Sequence, residues 1–267
     1  MQSSMMVYMG KRIADIERMP RGGPKASCLD RRLETSRQEY LDRDDVDSLK
    51  RTVVRSLDRL GQVFGLHERF AGIALDEIAD VPDPRILELG SGHGALSRAL
   101  LEMHPSAHVT VTDVEPASLA AIAAGDLGSH PRATVREMDA TAIDAPDGFY
   151  DLAVFAMSFH HLPPALASRV FAEGTRAADK LLIIDLARPP APLHLLQLAF
   201  MVPLSVAVPL CHDGFISSLR AYSPSALRAL ARHADSAIAL QLRGGGIDLP
   251  FRPRPQIVVA SRLHSRR

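Results

Sequence analysis

The chemistry most readily seen in this chain sits in one short run, Ile86-Leu87-Glu88-Leu89-Gly90-Ser91-Gly92-His93-Gly94. An apolar stretch carries an acid, and glycines follow at every second position. Ala95-Leu96-Ser97-Arg98-Ala99-Leu100-Leu101 comes next, with its apolar residues at helical spacing. The pattern predicts a buried strand, a tight turn and the start of a helix. Glycines suit backbone that must turn sharply or approach a ligand closely. The helix start aims free N–H groups and a partial positive charge at whatever lies on the turn. Gly90, Gly92 and Ala95 also satisfy the dinucleotide pattern G-x-G-x-x-G/A. Glu88 argues against that ligand, because a carboxylate two residues upstream gives a pyrophosphate nothing. It favours a phosphate-free ligand that carries positive charge.

Further acids follow at strand ends. His108 to Asp113 reads as a second strand, and Asp113 lies where βαβ nucleotide sites place the residue that accepts ribose hydroxyls. Glu115 could take that role instead. Ala133 to Met138 reads as a third strand, followed by Asp139, which can accept from an adenine amino group while Met138 or Ala140 packs on the ring. Tyr150 to Phe155 and Leu181 to Asp185 complete the expected parallel strands. Two helical stripes precede the first strand: Leu49, Val53, Leu57 and Leu60, with Asp47 as the expected N-cap, then Leu66, Phe70, Ile73, Ala74 and Ile78. Gly61 and Gly65 bracket the break between them. Ser223 is an expected N-cap of a late helix, and Ala237 to Leu242 and Gln256 to Ala260 are two last strands.

The run Glu-x-Gly-x-Gly-x-Gly resembles the first motif of the class I S-adenosylmethionine-dependent methyltransferases. The resemblance extends over about residues 47 to 262 and takes in Asp113, Asp139 and the segment His160-His161-Leu162, which is similar to that of the small-molecule, ubiquinone/menaquinone-type branch. It implies a Rossmann-like α/β fold: a seven-stranded, mostly parallel sheet with an antiparallel last strand and helices on both faces. It implies S-adenosyl-L-methionine as cofactor, held by Glu88, Gly90, Ser91, Gly92, Gly94, Asp113, Val114, Asp139 and Ala140. Asp151 would hold the sheet entrance to neighbouring backbone. The chemistry would be in-line displacement at the sulfonium methyl, with proximity as the main catalytic effect. His160 and His212 are the candidate bases for an acceptor that must lose a proton. His161, Arg220 and Tyr222 are candidate substrate contacts. The alternatives are a nicotinamide-dependent oxidoreductase and a non-catalytic S-adenosylmethionine-binding module. The absence of an Asn/Asp-Pro-Pro-Tyr segment argues against adenine or glutamine methylation.

Composition sets bounds on these readings. Formal net charge is zero over 267 residues, so no strong field favours nucleic acid. The two cysteines, Cys28 and Cys211, make neither a disulfide framework nor a metal site expected, and they suit a reducing cytoplasm. Met5 to Met9 is too short an apolar run for a signal peptide. Residues 1–44 read as an N-terminal extension, partly disordered, with helix from Cys28 to Tyr40, and 45–267 as the catalytic domain. An apolar lid or insertion is expected at about 189–222. Within it, Ala191 to Cys211 approaches the length of a membrane span, but Pro192, Pro203 and Pro209 argue for a lid over a small apolar substrate, or for burial. Contact with a membrane surface through 191–211 is the second reading.

Overall fold

A computed structural model describes residues 16–43, 45–244, 247–248, 252–253 and 255–262. Expectations for the first methionines, for Gly245-Gly246 and for the tail from Leu263 to Arg267 lie outside them. In chain order the elements are α1 (Cys28–Arg32), α2 (Asp47–Phe64), α3 (Leu66–Asp76), β1 (Arg85–Leu89), α4 (Ala95–Met103), β2 (His108–Asp113), α5 (Pro116–Ala124), α6 (Asp126–Ser129) and β3 (Ala133–Glu137). There follow β4 (Tyr150–Ala156), α7 (Pro164–Ala177), β5 (Ala178–Asp185), α8 (Ala191–Ala207), α9 (Pro209–Arg220), α10 (Pro224–Ala234), β6 (Ile238–Gly244), the short pair β7 (Ile247–Asp248) and β8 (Arg252–Pro253), and β9 (Gln256–Arg262).

The main sheet has seven strands in the order β3-β2-β1-β4-β5-β9-β6. The first five are mutually parallel, and β9 runs antiparallel to both of its neighbours. The strand order reverses between β1 and β4, and the carboxyl ends of strands at such a switch point are the usual ligand position in open α/β sheets. Central strands are apolar on both faces because helices cover both: Leu87, Leu89, Ala153 and Phe155 enter one core and Ile86, Leu152 and Val154 the other. Asp151 accepts from the Arg85 amide at 2.7 Å, which ties the entrances of β1 and β4 together as expected.

Local chemistry explains most element ends. Ser223 caps α10 by accepting from the Ala226 amide. Pro116 occupies the first turn of α5. The stripe from Asp47 forms one helix that runs through Gly61 and stops at Gly65, whose φ of +56° ends it. Val46, not Asp47, holds the N-cap position, and Asp47 starts the helix proper.

The N-terminal segment departs most from expectation. Its helix from Cys28 covers five residues only, and a 3-10 turn spans Tyr40–Asp42. The other described residues from Ile16 to Arg43 form a strap lying on the domain. Ile16 and Met19 are buried in the core. Arg21 donates to the carbonyls of His160 and Arg220 at 3.0 and 2.8 Å, and its guanidinium stacks over Tyr222 at 4.2 Å. Arg188 donates to the carbonyls of Asp30 and Leu33 and pairs with the Asp30 carboxylate. Tertiary hydrogen bonds thus replace the helical ones in this segment.

Residues 191–211 form α8 with Pro203 inside it, then the start of α9. Among the described residues no helix is long and apolar enough to cross a membrane. His194 and Leu198 point inward, whereas Leu195, Leu196, Phe200 and Val202 are exposed.

Candidate active site

The glycine turn has the shape its spacing demands. Gly90, Gly92 and Gly94 all have positive φ, at +63°, +56° and +72°. Their reasons differ. A Cβ on Gly90 would sit 2.9 Å from the Phe155 ring, and one on Gly94 2.5 Å from Leu127 Cδ1. A Cβ on Gly92 would meet nothing within 4 Å and would project into open space at the strand ends. The turn is fastened to β2, since the Ser91 amide donates to the Thr112 carbonyl and Thr112 Oγ1 to the Glu88 carbonyl.

Glu88 is buried and accepts a hydrogen bond from Ser97 on α4. Burial pushes its carboxyl up to about 7, against the pull of the Ser97 bond. Asp113 accepts from the Gly92 amide at 2.8 Å and from the Glu115 amide at 2.9 Å. Each of its oxygens keeps a further lone pair for a ligand hydroxyl. Asp139 accepts from the Thr141 amide and is exposed, Ala140 is buried, and Val114 is a large exposed apolar side chain beside Asp113. Ser91 Oγ is buried without a hydrogen-bond partner. An orphaned hydroxyl, an open glycine and a buried acid at one turn fit a polar ligand with a cationic end.

The second half of the site follows β4. Met157 takes φ +57°, unusual for a side chain of its size, and its amide donates to the Ile184 carbonyl. A 3-10 turn, Phe159–His161, comes next. Phe159 plugs a cluster of Phe155, Phe171 and Tyr222 rings, which turns His160 toward the end of β5. There Asp185 accepts from the His160 amide and pairs with its Nδ1, both at 2.7 Å. This turn leans on the glycine loop, with Ser158 Cβ 3.7 Å from where a Cβ on Gly90 would stand.

The strap closes over these histidines. Glu39 is buried, 3.5 Å from His160 Nε2 and 3.8 Å from His161 Nε2, and accepts from Ser217. Asp42 contacts His161 Nδ1 at 2.9 Å and Arg220 at 2.6 Å. Burial opposes the charge on Asp42, but these two partners outweigh it and hold the carboxyl well below its usual range. Burial likewise opposes charge on His160, yet Asp185 and Glu39 win and raise it to about 9.

Three further candidates are committed to this closure. His212 stacks on Tyr40 and pairs with Asp213, which accepts from the Tyr40 and Leu41 amides. Arg220 donates to the His161 carbonyl and to Asp42, and is 8% exposed. Tyr222 fills the core, donates to the Leu162 carbonyl and is 3% exposed. Arg220 and Tyr222 were expected to touch substrate; their polar groups are instead engaged internally, because the strap needs them. Glu39, Asp42, Asp185 and Arg21 escaped the sequence reading, since no local pattern links them to the histidines. A depression of about 440 Å³ lined by Arg85, His108, Thr134 and Tyr150 lies at the amino ends of the strands, away from all of this.

A family profile described as a methyltransferase domain matches residues 86–180, from the strand that carries Glu88 to the start of β5. Over these residues the chain carries a methyltransferase domain. It is 28% identical over 201 residues to a demethylmenaquinone methyltransferase of Thermus thermophilus, covering 69% of this chain and 88% of that protein. It is 35% identical to a malonyl-[acyl-carrier protein] O-methyltransferase of Geobacter sulfurreducens over 96 residues, about a third of either protein. The plantazolicin methyltransferase BpumL, solved with S-adenosylhomocysteine, superposes with a TM-score of 0.63 at 12% identity, over 95% of this chain and 98% of its own, and speaks to the fold. Methyl transfer from S-adenosylmethionine is the reaction, which sets aside the nicotinamide reading. The residues around the glycine turn fit that cofactor.

Proposed function

We propose that this methyltransferase acts on a small acceptor with a large apolar part, and that the glycine turn, Glu88 and Asp113 hold its cofactor. The observation that carries the cofactor assignment is the pairing of an unpartnered Ser91 hydroxyl and an open Gly92 with the buried Glu88. Glu88 faces the cationic methionine end, Asp113 the ribose, and Asp139, Ala140 and Val114 the adenine. Bound S-adenosylmethionine supplies a methyl group already activated by the positive charge on sulfur. The protein then has to orient the acceptor and exclude water.

His160 serves in this reading as a positioning residue, because its ring is clasped between Asp185 and Glu39 and is almost fully buried. His212, partly exposed beside the strap, is the more accessible of the two candidate bases.

The acceptor class rests on apolar side chains left at the surface. Helix α2 presents Leu57, Leu60, Val63 and Phe64, and α8 presents Leu195, Leu196, Phe200 and Val202. Exposed apolar patches of this kind mark binding faces. Both helices flank the strap, α2 through α9 and the Tyr40–Asp42 turn, α8 through α9 and Cys28–Arg32. The Thermus relative is named for a demethylated quinone, an acceptor of this chemical type. Incubation with methyl-labelled cofactor and a cell extract, followed by partition between organic solvent and water, tests the assignment. Label should pass to the organic phase. Label confined to the aqueous or protein fractions refutes an apolar small acceptor.

A further inference from the structure

We propose that Glu39, His160 and His161 form a binding site for one divalent transition-metal ion of the zinc type, which fastens the strap to the histidine turn. Three observations carry this. Each imidazole has its Nδ1 on a carboxylate, His160 on Asp185 at 2.7 Å and His161 on Asp42 at 2.9 Å. Metal-bound histidines nearly always give their second ring nitrogen to such a group, which fixes the tautomer and aims the other nitrogen. Here both Nε2 atoms aim at Glu39, at 3.5 and 3.8 Å.

The spacing is that of a coordination shell. One ligand atom from each of the three residues lies within 4.8 Å of the other two. A tetrahedral zinc site with bonds near 2.0–2.1 Å separates its ligand atoms by roughly 3.4 Å. The two contacts to Glu39, Oε1 to His160 Nε2 at 3.5 Å and Oε2 to His161 Nε2 at 3.8 Å, are near that separation, and two imidazoles with one carboxylate favour a transition metal over calcium or magnesium.

His160 Nε2 is moreover a buried polar atom with no hydrogen bond, on a side chain only 4% exposed. Such an atom calls for a partner.

The test reads metal binding without turnover, so it does not depend on the acceptor. The full chain, stripped with chelator, is titrated with Zn²⁺ by calorimetry. One equivalent should bind at micromolar or lower concentration. Glu39→Gln should lose that equivalent, and Asp42→Ala, which frees His161 Nδ1, should weaken it 10- to 100-fold. Because Glu39→Gln could loosen the strap by itself, a second measurement uses the unaltered protein. Zn²⁺ should slow tryptic cleavage after Arg37 and shift the ring-proton resonances of His160 and His161. Failure to bind one equivalent, binding that survives Glu39→Gln, or resonances of both histidines unmoved by Zn²⁺ would each overturn the proposal.

Discussion

Glu88 offers the most exacting test of the cofactor site, because its burial and its charge oppose each other. With its carboxyl raised to about 7, it is half protonated near neutrality in the free protein. An ammonium group brought beside it favours the ionised form, so binding lowers its pKa and releases a proton. Affinity for S-adenosylmethionine should then rise with pH up to about 7 and level off above it. At pH 6 only about one molecule in eleven is ionised beforehand, so affinity should lie roughly tenfold below the plateau, about 1.4 kcal/mol. Glu88→Gln keeps a group able to contact Ser97 and removes the charge. On the plateau it should cost about 1.5–3 kcal/mol, the range for a charge-assisted hydrogen bond, and its affinity should be flat from pH 5.5 to 8. S-adenosylhomocysteine, which keeps the ammonium and lacks the sulfonium, should show the same slope. Calorimetry in two buffers of different ionisation heat would report the released proton directly. A wild-type affinity independent of pH, or an unchanged slope in Glu88→Gln, would refute the electrostatic account. Stability of the free protein should move the other way. A carboxyl raised from 4.5 to about 7 in the fold stabilises fully below pH 4.5, and that contribution is lost as pH climbs through 7.

The glycines should separate binding from folding. Gly92→Val should abolish cofactor binding in calorimetry at a cost in stability of about 1–2 kcal/mol, the penalty of a left-handed conformation, because a Cβ there meets no protein atom within 4 Å. Gly94→Val should lower the melting temperature further, since even its Cβ would stand 2.5 Å from Leu127. Helix α8 should make the fold acid-sensitive through His194, which burial and the nearby Arg188 lower from 6.5 to about 4. Its folded-state pKa is depressed, so the unfolded chain takes up a proton first as pH falls below 6.5, at a cost of ~2 kcal/mol by pH 5. His194→Gln, which can keep the Ser218 contact, should narrow the gap between melting temperatures at pH 7 and pH 5; an unchanged gap would exclude His194 as the source.

What could be read beforehand was local. The glycine turn, Asp113 and Asp151 depend on spacing within a few residues and on the register of neighbouring strands, and both leave a signature in the order of residue types. The closure over His160 leaves none. Arg21 meets the His160 carbonyl across 139 positions of sequence, and Ser217 meets Glu39 across 178. Nothing near Glu39 has helical or strand periodicity, because its neighbours face a folded surface and not a repeating one. The same cause explains why Arg220 and Tyr222 read as ligand contacts: a polar residue next to an apolar segment looks identical whether its partner is a substrate or a distant carbonyl.

The position of β9 has a consequence for biosynthesis. Gln256–Arg262 follows β6 in sequence, yet it lies inside the sheet between β5 and β6, with Val258, Val259 and Ala260 buried. Until β9 has left the ribosome, β6 has no neighbour to pair with, and that flank of β5 stays bare. Contacts that join remote positions form slowly and leave adhesive strand margins exposed in the meantime. The sheet can therefore close only after translation has passed β9.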